Sequence, residues 1–144
     1  MRATIMLLPV FSLSALPVRA EDVDRTVVVV ATEISGNWGE APACPQNSIC
    51  LDGPYEARFK TIKTVAGSGA PAEFNATVWL HVHPKGPVKR AFLLKHWPDK
   101  SWSILANSFD TCFRLDKVNE VQLTLKPTSR TGDGRVCFAG GRAN

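Results

Sequence analysis

Two histidines, His81 and His83, are separated by a single residue, a spacing that could bring two metal ligands together. On a β-strand, side chains two residues apart point to the same face, and imidazole nitrogens bind zinc or copper. The third histidine is His96, and a hairpin turning at 84–87 would place it opposite Ala76, roughly 16 Å from His81 at the rise of a strand. Two histidines on a solvated strand face are therefore the simpler interpretation. We predict no cofactor and keep a metal site at His81 and His83 as an alternative.

Three tryptophans lie in or beside predicted loops, where an indole ring could stack on a sugar or another flat ligand. Trp38 lies in a long loop predicted at 35–54, and Trp97 and Trp102 flank a predicted turn at 98–101. A hairpin at this turn would place Trp97 and Trp102 opposite each other, and such a pair stabilises a sheet by up to about 1 kcal/mol without any ligand. We predict all three as binding residues, and the stabilising role is the alternative.

Motifs for nucleophilic or phosphate chemistry are missing from the sequence. There is no G-x-S-x-G elbow, and Gly67-Ser68-Gly69 lacks the Lys-Ser/Thr ending of a phosphate-binding loop. We therefore predict no catalytic residues, and the sequence favours a protein that is not an enzyme.

The N-terminal segment 1–20 has the pattern of a secretory signal peptide. A charged start precedes an apolar run of about 16 residues, which is short for a membrane span, and Val18-Arg19-Ala20 fits a cleavage site before Glu21. No later apolar run is long enough to span a membrane, so we predict an extracytoplasmic protein, periplasmic or secreted. Cleavage would reduce the formal net charge from +4 to +2, and this small surplus disfavours a nucleic-acid partner.

Four cysteines in an exported chain predict two disulfides. Of the three possible pairings we favour Cys44–Cys50, within the 35–54 loop, and Cys112–Cys137, across the C-terminal third. Four thiolate ligands for a metal are disfavoured because no C-x-x-C pair is present.

Short β-strands account for most of the remaining pattern. The β-branched run 26–32 predicts a strand buried on both faces or in a closed sheet. Residues 55–66 and 74–83 predict two strands joined by a turn at 67–71, and the slip of the apolar phase in the first predicts a bulge near Lys60. Further strands are predicted at 90–97, 102–106, 112–115, 121–126 and 135–138. The segment 110–119 is the only plausible short helix.

The arrangement of these strands resembles the netrin-like, TIMP-like branch of the OB-fold. The likeness covers roughly residues 25–107, and the residues that carry it are Tyr55, Phe59, Gly67, Leu93 and Leu94. The resemblance implies a five-stranded Greek-key barrel that is used for binding. Inhibitors of that family chelate the protease zinc through an N-terminal cysteine of the mature chain. Glu21 is at that position here, so protease inhibition is not expected from the resemblance.

We therefore predict an all-β protein, a small OB-like Greek-key barrel of five to seven strands with two disulfides. A single domain would occupy 21–138, and 139–144 would be a disordered tail. The first functional hypothesis is an exported, non-catalytic binding module whose partner is a protein or glycan of the cell envelope or exterior, contacted by Trp38 and its loop. The alternatives are an envelope metal-binding protein or metalloenzyme that uses His81 and His83, and a structural subunit of an envelope assembly.

Overall fold

The computed structural model describes residues 24–40, 46, 52–82 and 84–138, and these residues form two antiparallel β-sheets. The elements, in chain order, are β1 Arg25–Trp38, β2 Gly53–Ala66, β3 Glu73–Leu80, β4 Lys89–His96, β5 Trp102–Ser108, β6 Cys112–Phe113, α1 Lys117–Val121, β7 Ser129–Arg130 and β8 Val136–Cys137. The prediction of an all-β chain is confirmed. No helix in the described part of the chain is long and apolar enough to cross a membrane.

The larger sheet has five strands in the order β3-β2-β1-β4-β5. Strands β1, β2 and β3 follow one another, and β4 then returns to pair with β1, which is the Greek-key order. Among the described residues, β3 and β5 pair on one side only, so the predicted closed barrel is not confirmed. Strands β6, β8 and β7 form the smaller sheet.

The first half of β1, residues 26–31, is buried on both faces, as its β-branched run predicts. The strand continues through exposed residues to Trp38, so the loop predicted at 35–54 begins too early. The first face, with Val27 and Val29, packs into a core built from β2, β3 and β4. The opposite face, with Val28 and Val30, packs against the C-terminal part of the chain. All four valines are at most 6 % exposed. The position of β1 between two cores therefore makes it the central strand of the molecule.

The first core contains a cluster of three phenylalanines from neighbouring strands. The ring of Phe92 lies 4.7 Å from that of Phe59 and 5.0 Å from that of Phe74, both in edge-on contacts. Alternate residues of β2 and β3 point into this core, and their neighbours along the strand are exposed. Strand β3 ends at Leu80, so the predicted strand to residue 83 is too long.

The predicted bulge on β2 lies slightly further along the strand than Lys60. Val30 pairs with Lys63 and Ala31 with Thr61, so Ile62 has no partner on β1. A second register shift leaves Val65 unpaired in the same way. These two extra residues explain why the apolar phase of the sequence slips in this half of β2.

The second core is covered by the C-terminal sheet and is closed by the Cys112–Cys137 disulfide. Phe113, Val136 and Phe138 are at most 1 % exposed and pack against β1 and β4. Cys112 and Cys137 are paired residues of β6 and β8, so the predicted bond is confirmed. The other predicted pair, Cys44–Cys50, lies outside the described residues.

The predicted strand at 121–126 is wrong. The helix α1 ends at Val121, and the chain then runs across β1 without joining a sheet. Asp116 favours the helix because its carboxylate accepts a hydrogen bond from the Asn119 N–H at 2.7 Å. The following segment exchanges hydrogen bonds with the side chain of Thr26 instead of with a neighbouring strand. The segment therefore has the alternating sequence pattern of a strand, although its backbone joins no sheet.

Candidate functional site

An open cleft of about 440 Å³ lies between the end of β3, the described residues 81, 82 and 84–88, and the start of β4. Its described lining is mostly apolar and includes two prolines of the segment, Pro84 and Pro87. The charged residues of the lining are Asp52, Lys89 and Arg90, together with the titratable His81. A concave, largely apolar surface with a few polar groups is the usual form of a ligand site.

Three large apolar side chains of the cleft are exposed to solvent. Trp79 is 53 % exposed, and Val82 and Phe109 are each 73 % exposed. Trp79 points outward because its neighbours on β3, Val78 and Leu80, point into the first core. Phe109 follows β5, where the Ser108 hydroxyl donates a hydrogen bond to Asp110 at 3.0 Å and fixes the turn. Exposed apolar groups that share one concave surface are typical of an interaction site.

The base of the cleft holds a buried cation, Arg90, which is 9 % exposed. Its Nη1 donates to Asn107 Oδ1 at 2.6 Å, and its Nη2 donates to the Trp79 carbonyl at 3.5 Å. The Phe109 ring covers the guanidinium, with its centroid 4.2 Å from the Arg90 Cζ atom. Among the described residues no carboxylate pairs with Arg90, and its Nε has no hydrogen-bond partner. Burial without a counter-ion lowers the pKa of Arg90.

Glu33 of β1 holds the segment that forms one wall of the cleft. Its carboxylate accepts a hydrogen bond from the Val88 N–H at 2.9 Å, and its own N–H donates to the Val88 carbonyl at 2.8 Å. The second carboxylate oxygen accepts a hydrogen bond from the Tyr55 hydroxyl at 2.6 Å. One side chain thus links β1, β2 and the entry to β4 beside the first core.

The bond to Glu33 makes the titration of Tyr55 a test of this link. The hydrogen bond and burial, together with the charge of Glu33, raise the pKa of Tyr55 to about 12, against about 10 in an unfolded chain. The contribution of the Tyr55–Glu33 hydrogen bond to the free energy of unfolding is therefore complete below about pH 10, and it is lost as the pH rises from about 10 to about 12. Tyr55 is the only tyrosine of the chain, so tyrosinate absorbance reports on it alone.

We expect a native midpoint near 12 when absorbance is read immediately after a jump in pH, and a midpoint near 10 in denaturant. The variant E33Q removes the charge and should lower the native midpoint toward the denatured value. A native midpoint close to 10 in the wild type would show that the Tyr55–Glu33 bond is absent in solution.

The two described histidines, His81 and His96, lie at different ends of the larger sheet. His81 lies at the rim of the cleft, and its Nδ1 contacts the Asp52 carboxylate, with both side chains largely exposed. His83 lies outside the described residues. His96 is at the far end of β4, buried against Trp102 with a ring separation of 4.8 Å. No group of three histidine, cysteine, aspartate or glutamate residues that could hold a metal occurs among the residues that the structure describes.

The three tryptophans predicted as binding residues do not form one surface. Trp38, at the end of β1, packs edge-on against Tyr55 with ring centroids 5.7 Å apart. Trp102 packs near Arg25 at the other end of β1, about 40 Å away if the strand were straight. The strand register pairs Trp102 with His96 and not with Trp97. Trp97 instead donates to Ser103 Oγ at 2.8 Å and stacks with the Lys95 ammonium group.

The residues that shape the cleft, Trp79, Arg90 and Phe109, are not among those predicted from the sequence. A signal for Trp79 was present, because it lies in the polar register of β3 between Thr77 and His81. Arg90 and Phe109 carry no such signal, since their proximity depends on the pairing of β4 with β5.

Comparisons with protein-family models, with curated proteins and with solved structures gave no match for this chain.

Proposed function

We propose that this protein is an exported, non-catalytic binding module whose ligand or partner docks in the cleft around Trp79 and Phe109. The observation that carries the proposal is the grouping of three exposed apolar side chains around a buried cation without a counter-ion. Exposed apolar surface is unfavourable in water, and an uncompensated buried charge is more unfavourable still. A partner that covers the first and pairs with the second would relieve both costs.

Export is supported by two independent features. The segment 1–20 has the pattern of a signal peptide, and the Cys112–Cys137 disulfide is typical of an oxidising compartment. We propose a periplasmic or secreted protein, with Cys44–Cys50 as a second disulfide in the loop after β1.

An OB-like barrel is the architecture that we propose for the larger sheet. The OB-fold is a partly open, five-stranded Greek-key barrel, and β1 to β5 have a Greek-key order in which β1 is central. Closure would bring β3 toward β5. In OB-folds the β1–β2 and β4–β5 loops and the face of strands 2 and 3 bind the ligand, so the cleft, which lies at the connection of β3 to β4, would be a site outside that usual surface.

Two other contact surfaces and two other functions are kept as alternative proposals. Trp38, with the loop that follows it, is a second candidate contact, and Trp97 and Trp102 form a third at the opposite end of β1. The metal-site alternative depends on His83, which is outside the described residues. The alternative of a structural subunit in an envelope assembly also stays a hypothesis, with a protein or glycan of the envelope or exterior as the partner.

Replacing Trp79 by alanine tests the cleft. We expect W79A to weaken capture of the partner from an extracellular or envelope extract by at least about tenfold, or 1.4 kcal/mol. The melting temperature should stay within a few degrees of the wild type, because a half-exposed side chain contributes little core packing. The measurement is quantitative mass spectrometry of protein and glycan captured on immobilised protein.

The matched control is I62A, which removes a side chain of similar exposure from β2, away from the cleft. We expect I62A to leave capture unchanged. The variants W38A and W102A compare the other two surfaces in the same experiment. Loss of capture in W38A with none in W79A would refute the cleft as the binding site and would favour the loop after β1.

A further inference from the structure

The guanidinium of Arg90 has more hydrogen-bond donors than the protein satisfies. A guanidinium carries five N–H donors, and Arg90 uses two, one to Asn107 and one to the Trp79 carbonyl. The Nε donor is fully buried and has no acceptor. A buried donor without an acceptor costs about 1–3 kcal/mol. A ligand that supplies an acceptor for this donor would remove that cost.

Arg90 belongs to the lining of the cleft, and one side chain covers its guanidinium there. The Phe109 ring lies over the guanidinium, yet it is 73 % exposed, so few contacts hold it in place. Its backbone belongs to the turn after β5, which stays fixed by the Ser108–Asp110 hydrogen bond. Rotation of the ring about its own side-chain bonds would uncover Arg90 and would widen the cleft without a change of fold.

The chemistry of the surroundings favours a carboxylate as the acceptor. A carboxylate is planar and singly charged, and its two oxygens match two adjacent guanidinium donors. A phosphate monoester carries nearly two charges, and desolvating it beside one buried cation and apolar walls would be less favourable. The apolar walls, which include Trp79 and Val82, suit a hydrocarbon or aromatic body attached to the acid.

We propose that the cleft binds an organic acid with an apolar or aromatic body, and that its carboxylate accepts hydrogen bonds from Arg90 while Phe109 turns aside to cover the body. This inference rests on the proposed binding function and specifies the class of ligand. The volume of about 440 Å³ is in the range of small-molecule sites. Lys89, which is exposed at the rim, adds a second positive charge that attracts an anion.

The first test changes the ligand and leaves the protein intact. Phenylacetate, octanoate and their neutral amides, phenylacetamide and octanamide, are titrated into the full chain and followed by NMR shifts of backbone and indole N–H groups. We expect each acid to bind at least tenfold more tightly than its amide, with shifts at Trp79, Phe109 and Arg90. Acetate should bind at least tenfold more weakly than octanoate, because it lacks the apolar body.

The second test changes the cation. R90K keeps the charge but loses the planar pair of donors, and it should lower the affinity for phenylacetate at least fivefold. R90M removes the charge and should make the acid and the amide bind equally. If R90M does not fold, the comparison of acid with amide on the wild type still decides the question. The control K85A removes an exposed charge of the same loop that is absent from the described lining of the cleft, and it should leave the affinity unchanged.

Several outcomes would overturn the inference. Equal affinity for acid and amide on the wild type would show that Arg90 does not bind the carboxylate. Tighter binding of phenyl phosphate than of phenylacetate would assign the site to phosphates. Shifts confined to residues outside the cleft would place the acid elsewhere. If any of these results is found while W79A still loses its partner, the proposed function stands and only the ligand class is wrong.

Discussion

Removing the Cys112–Cys137 disulfide should lower the free energy of unfolding by about 3–4 kcal/mol. The bond links residues 25 positions apart, and a cross-link of that span reduces the entropy of the unfolded chain by an equivalent of roughly 3.5 kcal/mol at room temperature. The backbone hydrogen bonding of the smaller sheet is limited, because β6, β7 and β8 have two residues each. The variant C112A/C137A, measured by denaturant unfolding, gives the change directly.

Loss of the Cys112–Cys137 disulfide should destabilise the second core more than the first. Phe113 and Phe138 cover the face of β1 that carries Val28 and Val30, and the disulfide holds both phenylalanines in place. We expect hydrogen exchange in 111–138 to accelerate in the variant well before exchange in β2 and β3 does. Wild-type protein in reductant should match the variant in this segment. A loss below about 1 kcal/mol would show that the two sheets are held by packing alone.

The five strands of the larger sheet could be predicted because each has a local signal. The run 26–32 is rich in valine, and residues 73–78 alternate strictly between polar and apolar side chains, so period and residue type agree. The phase slip in β2 predicted one bulge near Lys60, and the structure has two extra residues slightly further along, Ile62 and Val65. These features depend on the chain close to each residue, where a sequence carries most of its information.

The cleft could not be predicted because its residues meet only through tertiary pairing. Arg90 is close to Phe109 because β4 pairs with β5, and Ala91 pairs with Ser108. In the sequence, Arg90 was one of several positive charges around a turn, and nothing local distinguishes a buried arginine from a solvated one. The misassigned strand at 121–126 has the same cause. Its alternating leucines pack on the second core, yet its backbone bonds to the Thr26 side chain and not to a strand.

A substitution of Thr26 therefore tests whether the segment 122–125 is held by hydrogen bonds to this side chain. The Thr26 side chain is 1 % exposed, and its Oγ1 accepts hydrogen bonds from the Thr124 N–H at 3.1 Å and the Leu125 N–H at 3.0 Å. Its own N–H donates to Thr124 Oγ1 at 2.7 Å. The variant T26V keeps the shape of the side chain but removes the acceptor. Two backbone donors then lose their partner, at about 1–3 kcal/mol each when buried.

Because Leu125 is half-buried and Thr124 is exposed, we expect T26V to lower the free energy of unfolding by about 1–2 kcal/mol, measured by denaturant unfolding. Hydrogen exchange of the Thr124 and Leu125 N–H groups should also accelerate. The matched control is T32V on the same strand, where the threonine hydroxyl makes no hydrogen bond with another described residue. Valine is favoured in strands at least as well as threonine, so T32V should stay within about 0.5 kcal/mol of the wild type. A double-mutant cycle of T26V with T124V should give a coupling of at least about 1 kcal/mol, because both hydroxyls belong to one network. If T26V and T32V have equal effects, the loss reflects strand packing, and the segment 122–125 is held by its leucines and by the hydrogen bond from Lys95 to the Gln122 carbonyl.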